Sequence, residues 1–300
     1  MTARIIDGRA EASRLVERVN NRAAAFAART GRRPGLAVVL IGDDPASGVY
    51  VGAKTRRAAE AGLASFKHHL PASTTEVAVM KLLDELNEDP RVDGILVQLP
   101  LPSQISAPRV LNRINPAKDV DGFHPLNAGL LATGQSSGLV PCTPLGCLRL
   151  IETVRSDLAG LDAVVVGRST IVGRPASQVL LNAGCSVTVV HRQSQDVPGH
   201  CRKADILVVA VGREGLVRRD WVKPGAIVID VGINRVTSEN GAVIRGDVAF
   251  EEVAAVAGAI TPVPGGVGPM TVAALMENTL HCAENIVGEA PTAAPVAVTT

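Results

Sequence analysis

The chain has 300 residues, enough for two domains that each bury a core of their own. Its formal net charge of +1 argues against the concentrated basic surface that nucleic-acid binding requires, and an aromatic content of 2% argues against a base-stacking platform. No apolar run approaches the roughly 18 residues of a membrane span. We therefore expect neither a nucleic acid nor a membrane as partner, but a small molecule.

The five cysteines, at positions 142, 147, 185, 201 and 282, form no C-x-x-C pair. An odd number of separated cysteines indicates neither a disulfide framework nor a zinc site, and we expect no metal. Reduced, mostly buried thiols are typical of the cytosol. The first residues also lack the basic segment and apolar core of a secretory signal, so we predict a cytoplasmic protein.

Short apolar runs rich in β-forming residues alternate with longer amphipathic segments, which is the pattern of strands and crossover helices in an α/β protein. In the first half this pattern predicts, in chain order, a buried strand at Leu36–Ile41, a helix at Ser47–Ala61, a helix at Thr75–Asn87 capped by Thr74 or Thr75, and a buried strand at Gly94–Gln98. A segment rich in turn residues, 115–134, separates the halves, and a helix is predicted at Leu148–Leu158.

The second half has the same alternation. The elements predicted there are a strand at Leu161–Gly167, a helix at Gly173–Ala183, strands at Ser186–Val190, Ile206–Val211 and Ala226–Val231, and a final helix at Met270–Val287 that we expect to return to the first domain. The predicted fold class is α/β with two domains. The first is residues 1–142 plus the helix at 270–287, and the second is a Rossmann-like domain of residues 143–269, while the small-residue tail, 288–300, is predicted to be disordered.

The run from Gly167 to Gly173 follows a predicted strand and opens a predicted helix, which is the layout of a phosphate-binding loop. The first glycine permits a tight turn, and the later glycine lets the helix pack closely while its free N–H groups face an anion. The spacing is G-x5-G and not G-x-G-x-x-G, so the pattern alone is a weaker sign than its position between strand and helix.

After the next strand, dinucleotide folds place an acid that binds the ribose of NAD, or a basic group that binds the 2′-phosphate of NADP. This chain has His191-Arg192-Gln193-Ser194 at that point. Arg192 favours NADP as the cofactor, whereas the nearby Asp196 would favour NAD. A solvated turn is the alternative interpretation.

Two further runs of the second half are suited to approach a ligand. Ile233 lies in the run Asp230–Asn234, which follows a predicted strand where such folds place the loop that meets the nicotinamide. Pro264 and Gly265 lie in the run Thr261–Thr271, whose prolines and glycines make a shaped loop with exposed backbone. An inert hinge is the alternative for the second run.

Tyr50 and Lys54 lie four residues apart in a predicted helix, so they share one face of it. If the two strands of the first half are parallel neighbours, Lys54 and Gln98 both follow carboxyl ends, where ligands of open α/β sheets bind. Asp121, in the turn-rich segment, can reach the same place. Alone, Lys54 would be interpreted as a solvated helix residue beside a half-buried tyrosine, and only the convergence of these residues indicates a site.

Six segments in the same order carry a resemblance to a known family. They are Ser47–Lys54 (SGVYVGAK), Asp93–Pro102 (DGILVQLPLP), Lys118–Asn127 (KDVDGFHPLN), Pro141–Gly146 (PCTPLG), Gly167–Pro175 (GRSTIVGRP) and Pro264–Thr271 (PGGVGPMT). Through them the chain resembles the bifunctional methylenetetrahydrofolate dehydrogenase/methenyltetrahydrofolate cyclohydrolase family.

The resemblance implies two reactions in one folate cleft between the two domains. The first is NADP-dependent oxidation of 5,10-methylenetetrahydrofolate to 5,10-methenyltetrahydrofolate, and the second is hydrolysis of that product to 10-formyltetrahydrofolate. By position, Lys54 resembles the family's catalytic lysine and Gln98 the residue that holds it. Tyr50 resembles the residue that stacks on the folate, and Asp121 the carboxylate that hydrogen-bonds the pterin ring.

The same resemblance implies which residues contact the ligands. The expected contacts of NADP are Gly167, Arg168, Ser169, Ile171, Gly173, His191, Arg192, Ser194 and Ile233. The expected contacts of tetrahydrofolate are Tyr50, Lys54, Gln98, Asp121, Pro264 and Gly265. A homodimer and a role in one-carbon metabolism and purine biosynthesis are also implied.

The chain departs from the family pattern at two places. Arg192 stands where many relatives carry serine, and 128–131 (AGLL) lacks the basic residue that is common there. The alternatives to the bifunctional enzyme are an enzyme with one of the two activities and a non-catalytic NADP-binding regulator. The four residues assigned to the folate chemistry argue against the regulator, because none of them is needed merely to bind a dinucleotide.

Overall fold

The computed structural model describes residues 2–238 and 241–288, apart from the side chains of residues 45–47, 49, 50 and 238. The tail predicted to be disordered lies outside the described residues except for Gly288. The chain forms two compact units. Within the described residues, the six-strand unit comprises the chain up to Ala12 with Thr143–Thr271, and the three-strand unit comprises Ser13–Cys142 with 272–288.

The described residues form strands and helices in alternation. The strands are β1 (Arg4–Ile5), β2 (Gly35–Ile41), β3 (Ala64–Leu70), β4 (Gly94–Val97), β5 (Asp162–Val166), β6 (Ser186–Val190), β7 (Ile206–Val209), β8 (Ile227–Asp230), β9 (Asn234–Ser238), β10 (Gly241–Arg245) and β11 (Ala259–Ile260). The α-helices are α1 (Gly8–Thr30), α2 (Pro45–Glu60), α3 (Glu76–Glu88), α4 (Ala107–Arg113), α5 (Pro125–Ala132), α6 (Cys142–Glu152), α7 (Gly173–Asn182), α8 (Val197–Cys201), α9 (Phe250–Ala254) and α10 (Val267–Ile286), and short 3-10 helices lie at Pro116–Lys118 and Arg219–Trp221.

The three-strand unit contains a parallel sheet in the order β3-β2-β4. Every residue of β2 and β4 is buried, as their uninterrupted apolar sequences require, whereas the edge strand β3 alternates between more and less exposed positions. The parallel pairing of the strands predicted at 36–41 and 94–98 is confirmed, with Leu36 opposite Gly94. Their carboxyl ends therefore lie side by side.

The helices that flank this sheet begin close to where the sequence predicts. Helix α2 begins two residues earlier than predicted, with Pro45 in its first turn, where a missing N–H costs no hydrogen bond. Helix α3 has Thr75 as its N-cap, and the Thr75 hydroxyl accepts a hydrogen bond from the Ala78 N–H at 3.3 Å. Buried Val79, Leu83 and Leu86 of α3 contribute to the core against the sheet.

The six-strand unit contains a parallel sheet in the order β1-β11-β8-β7-β5-β6. The chain passes from β5 outward to β6 and then returns to the other side of β5 for β7, so the strand order reverses between β5 and β7. Such a reversal opens a crevice at the carboxyl edge of the sheet, where dinucleotides bind in doubly wound folds. A two-domain α/β architecture with a Rossmann-like sheet is thereby confirmed.

Two sequence predictions differ from the structure. The helix predicted at Leu148–Leu158 is wrong in its bounds, because α6 begins at Cys142, accommodates Pro144 in its first turn and ends at Glu152. Residues before 13 were predicted to belong with the first half, whereas β1 pairs with β11 and joins the six-strand unit. Within the described residues, no helix is both long and apolar enough to cross a membrane.

Candidate active site

Lys54 and Gln98 meet at the carboxyl edge of the three-strand sheet. Lys54 Nζ donates a hydrogen bond to Gln98 Oε1 at 2.9 Å, and both side chains are partly buried. Gln98 Nε2 in turn donates to the Leu99 carbonyl at 2.7 Å, which fixes the amide so that its oxygen faces the lysine. The Gln98 N–H continues the sheet by donating to the Val39 carbonyl at 2.9 Å. The amine is therefore held at the end of β4.

Asp121 lies in the electrostatic field of Lys54. Burial raises the pKa of Asp121 to about 6, the charge of Lys54 opposes this rise, and the nearby charge of Asp119 adds to it. Asp119 is 1% exposed, and its carboxylate accepts hydrogen bonds from the His124 N–H at 2.7 Å and from Asn127 Nδ2 at 2.9 Å. A carboxyl with a pKa near 6 is ionised at neutral pH and accepts hydrogen bonds.

The backbone on both sides of Asp121 is fixed by the fold. Gly122 has φ +68°, and a Cβ there would overlap the backbone of residues 139–141. The side-chain amide of Asn278, on α10, donates to the carbonyls of Val120 and Val140, each at 2.9 Å. The loop that carries Asp121 is thus attached to a buried helix and is not free on the surface.

Tyr50, the fourth residue predicted for this site, lies in α2 one turn before Lys54. Its side chain lies outside the described part of the structure, so its stacking role stays a prediction.

The loop from Gly167 to Gly173 connects β5 to α7 at the reversal of strand order. Gly167 has φ +124°, and a Cβ there would overlap the Ala210 carbonyl oxygen at the end of β7. A Cβ at Gly173 would overlap the Gly167 carbonyl. Ser169 Oγ accepts hydrogen bonds from the N–H groups of Val172 and Gly173, each at 3.2 Å. Both glycines are therefore required for this tight loop.

The residues predicted to hold the cofactor's ribose end lie beside this loop. Arg168 Nη2 donates to Gln193 Oε1 at 2.7 Å, and Arg168 Nη1 lies 3.3 Å from His191 Nε2. Ser194 Oγ accepts from the His191 N–H at 3.0 Å and shapes the turn. Arg192 is exposed on that turn. These side chains form one group at the end of β6, next to the strand that the phosphate loop follows.

Asp196, the residue that would favour NAD, has other hydrogen-bond partners in the structure. It caps α8, where its carboxylate accepts from the Gly199 N–H at 3.0 Å, and it lies 3.9 Å from Arg202. A capping carboxylate that already binds a backbone N–H and faces an arginine is a poorer acceptor for ribose hydroxyls.

The remaining predicted residues lie on loops of the six-strand unit. Ile171 and Ile233 are 43% and 53% exposed, which is unusual for isoleucine. Pro264 and Gly265 lie in the turn between β11 and α10, and Gly265 has φ +111° and faces Arg9. Pro264 and Gly265 belong to the six-strand unit, and their contact with tetrahydrofolate stays a prediction.

Sequence reasoning missed Asp247. It is 0% exposed, and its carboxylate accepts hydrogen bonds from three successive backbone N–H groups, 211–213. A single aspartate after Arg245 and Gly246 is typical of a surface turn, so no local pattern indicates this position.

The cysteine side chains lie in the protein interior. All five cysteines are free and buried, and burial raises the pKa of Cys147 and Cys201 to about 12. The expectation of mostly buried thiols is confirmed. Over residues 2–238 and 241–288, no group of three or more His, Cys, Asp and Glu side chains could hold a metal ion.

Solved structures with the same architecture include two from distant organisms. The bifunctional methylenetetrahydrofolate dehydrogenase/cyclohydrolase of Campylobacter jejuni superposes with a TM-score of 0.90 at 47% identity, covering 94% of this chain and 99% of that one. The methylenetetrahydrofolate dehydrogenase-cyclohydrolase of Trypanosoma brucei, solved with NADP cofactor and an inhibitor, has a TM-score of 0.91 at 39% identity and covers 96% and 99%.

Sequence comparison gives the same family. The bifunctional protein FolD of Methylorubrum extorquens is 68% identical over 291 residues, which are 97% of this chain and 95% of that protein. The model of the tetrahydrofolate dehydrogenase/cyclohydrolase catalytic domain matches residues 6–121, and the model of the NAD(P)-binding domain of the same family matches residues 141–287. The chain therefore belongs to the tetrahydrofolate dehydrogenase/cyclohydrolase family.

Proposed function

We propose that this chain catalyses two consecutive reactions of one-carbon metabolism. It oxidises 5,10-methylenetetrahydrofolate to 5,10-methenyltetrahydrofolate with NADP, and it then hydrolyses the methenyl bridge to give 10-formyltetrahydrofolate. The relatives named for both activities span nearly the whole chain, which supports the bifunctional enzyme over an enzyme with one activity.

The observation that carries the proposal is the 2.9 Å hydrogen bond from Lys54 to Gln98 at the carboxyl edge of the three-strand sheet. Hydrolysis of the methenyl bridge requires that water add to a cationic carbon and that protons move as a C–N bond breaks. The amine of Lys54 is the group that transfers these protons, and Gln98 keeps it at one position. The nearby Asp121 accepts hydrogen bonds from the N–H edge of the pterin, and Tyr50 stacks on the folate.

The six-strand unit holds NADP. Gly167 and Gly173 allow a tight loop, because a Cβ at either position would overlap backbone, and this loop leads to the N–H groups at the N-terminus of α7 that bind the pyrophosphate. Arg168, His191, Arg192 and Ser194 hold the 2′-phosphate end, and Ile233 borders the nicotinamide. Bound NADP accepts the hydride that leaves the one-carbon bridge.

The preference for NADP depends on Arg192, whose exposed guanidinium lies on the turn after β6. Arg192→Gln is expected to raise the KM for NADP by about 10- to 100-fold, since charge-assisted hydrogen bonds to the 2′-phosphate are lost. The KM for NAD should change little. Steady-state dehydrogenase assays with each cofactor measure both values.

A matched control for Arg192 is Arg155→Gln, which removes an exposed positive charge from the same unit just after α6 and before β5. We expect no change in either KM. A variant at position 192 that retains the NADP preference of the wild-type chain would contradict the assignment.

Asp121 should give the dehydrogenase reaction a pH dependence. Because its pKa is raised to about 6, the carboxylate is present above that pH and is lost as the pH falls through it. The kcat/KM for methylenetetrahydrofolate, which reports ionisation of the free enzyme, is therefore expected to fall by about tenfold per pH unit below 6. Asp121→Asn should lower kcat/KM at neutral pH and remove this limb of the profile. Persistence of the same limb in the variant would contradict the role of Asp121.

Separate assays of the two reactions test the proposed function. NADPH formation from methylenetetrahydrofolate measures the dehydrogenase, and loss of supplied methenyltetrahydrofolate measures the cyclohydrolase. Activity in only one assay would indicate a monofunctional enzyme. Activity in neither assay would indicate a non-catalytic NADP-binding protein.

We infer that the chain acts in the cytoplasm, where 10-formyltetrahydrofolate serves purine biosynthesis, and that it forms a homodimer. The buried, unpaired thiols support a reducing compartment. Leu181 of α7 and Val189 of the edge strand β6 are 51% and 37% exposed, and such apolar surface on adjacent elements is suited to a second copy. Analytical ultracentrifugation tests this, because Leu181→Asp should produce a monomer.

A further inference from the structure

Two buried carboxylates, Asp230 and Asp247, lie at the carboxyl edge of the six-strand sheet. Asp230 is the last residue of β8 and Asp247 follows β10 by two residues, and they are 3% and 0% exposed. Buried carboxylates are costly unless their oxygens are fully hydrogen-bonded, so their partners identify what they hold in place.

Asp247 holds the loop that follows β7. Its Oδ2 accepts from the N–H groups of Val211 and Gly212 at 2.7 and 2.9 Å, and its Oδ1 accepts from the Arg213 N–H at 2.8 Å. Its Oδ1 also accepts from Asn234 Nδ2, at the start of β9, at 2.8 Å. One carboxylate therefore ties two separate segments together through four hydrogen bonds.

Asp230 fixes Asp247 and the segment after β8. Its Oδ1 accepts from the N–H groups of Gly232 and Asp247, each at 2.9 Å, and its Oδ2 accepts from the Val248 N–H at 3.0 Å. The N–H of Asp230 donates to Thr261 Oγ1 at 2.8 Å. The backbone at Asp247 is thus itself held by a second buried acid.

The two segments tied by Asp247 border the expected cofactor position. The loop 211–213 follows Ala210, whose carbonyl packs against Gly167 at the reversal of strand order. Exposed Ile233 lies between two residues that are held by these acids. Gly232 donates to Asp230, and Asn234 donates to Asp247. Among the described hydrogen bonds, the N–H groups of residues 211–213 have no acceptor other than the Asp247 carboxylate.

We propose that Asp247 is a positioning residue for the dehydrogenase reaction, because its carboxylate fixes the 211–213 loop and the Ile233 segment where the nicotinamide end of NADP binds. The inference rests on the proposed function. A carboxylate is required: asparagine offers one acceptor oxygen, and its NH₂ group would face backbone N–H groups from which it cannot accept. Asp247→Asn would displace one of the two segments without changing side-chain volume.

The test is Asp247→Asn in the full chain, assayed for both activities. We expect the dehydrogenase kcat/KM for NADP to fall by about 10- to 100-fold, as for displacements of about 1 Å in a positioned ligand. The cyclohydrolase rate on supplied methenyltetrahydrofolate should stay within about twofold, because Lys54 and Gln98 belong to the three-strand unit. The cyclohydrolase rate of the same variant thus serves as an internal control for the amount of folded protein.

Asp205→Asn is the matched control. Asp205 precedes β7 at the opposite edge of the same sheet, where its carboxylate accepts from Lys223 Nζ at 2.6 Å and from the Asp162 N–H at 3.1 Å. This variant loses a charged hydrogen-bond acceptor of the same unit without affecting the 211–213 loop. Both of its activities should remain close to those of the wild-type chain.

Different results would overturn the positioning role of Asp247 and the proposed bifunctional activity. Equal loss of both activities in Asp247→Asn, or an unchanged dehydrogenase, would overturn the positioning role. If that variant does not fold, Asn234→Ala removes a single hydrogen bond to Asp247 and should still lower kcat/KM for NADP alone; no change there would also overturn it. A wild-type chain without either activity would overturn the proposed function and this inference with it.

Discussion

Replacing Lys54 with methionine is expected to lower the methenyltetrahydrofolate cyclohydrolase rate by about 100- to 10,000-fold, the usual range for loss of a proton-transfer group. Methionine preserves an unbranched side chain of similar length, so the site keeps its shape but loses the amine that donates to Gln98. Folate should still bind, since Asp121 and the rest of the site remain. The hydrolysis rate of supplied methenyltetrahydrofolate and the dissociation constant of folate measure the two effects.

Lys67→Met is the control for this substitution. Lys67 is an exposed lysine of β3, the edge strand of the sheet that carries the site, so its loss removes one charge without touching Gln98. Its cyclohydrolase rate should equal that of the wild-type chain. A Lys54→Met variant that hydrolyses methenyltetrahydrofolate at the full rate would refute the role of Lys54.

Gly167→Ala is expected to reduce dehydrogenase activity by more than about 100-fold by displacing the phosphate loop. Alanine is disfavoured at φ +124°, and its Cβ would overlap the Ala210 carbonyl, so the backbone of the loop must move. The N–H groups at the start of α7 would then no longer face the pyrophosphate. Titration of NADP by fluorescence should show the weakened binding. The cyclohydrolase should retain most of its rate, because the residues proposed for it, Lys54 and Gln98, lie in the three-strand unit.

Backbone strain alone is measured by Gly160→Ala. Gly160 precedes β5 in the same unit and has φ +75°, but a Cβ there would meet nothing within 4 Å. This variant should lose about 1 kcal/mol of stability in thermal unfolding and bind NADP normally. Equal NADP affinity in both variants would contradict the idea that close packing at Gly167 shapes the cofactor site.

The meeting of Lys54 with Gln98 was predictable from the sequence. Both β2 and β4 are uninterrupted apolar runs, which is typical of strands buried on both faces of a parallel sheet. Parallel neighbours end at the same edge, so residues that follow them converge. The tight loop from Gly167 to Gly173 was predictable for a similar reason, because a glycine that ends a buried strand and precedes a helix permits a tight turn.

Other features depend on contacts between distant parts of the chain. Strand β1 has two residues and no periodic signal, and it is defined only by its pairing with β11. Helix α6 begins six residues before the predicted helix at Leu148–Leu158, because its first turn accommodates Pro144. Asp247 resembles a surface aspartate until its three N–H donors are known. The stacking role of Tyr50 stays a prediction.

The most direct test of the bifunctional enzyme is one time course. Methylenetetrahydrofolate and NADP are mixed with the purified chain, and NADPH, methenyltetrahydrofolate and 10-formyltetrahydrofolate are followed together, with Lys54→Met run in parallel to measure uncatalysed hydrolysis. We predict equal final amounts of NADPH and 10-formyltetrahydrofolate, with the methenyl compound only a transient. The bifunctional assignment would be contradicted if methenyltetrahydrofolate accumulated in step with NADPH, or if no NADPH formed.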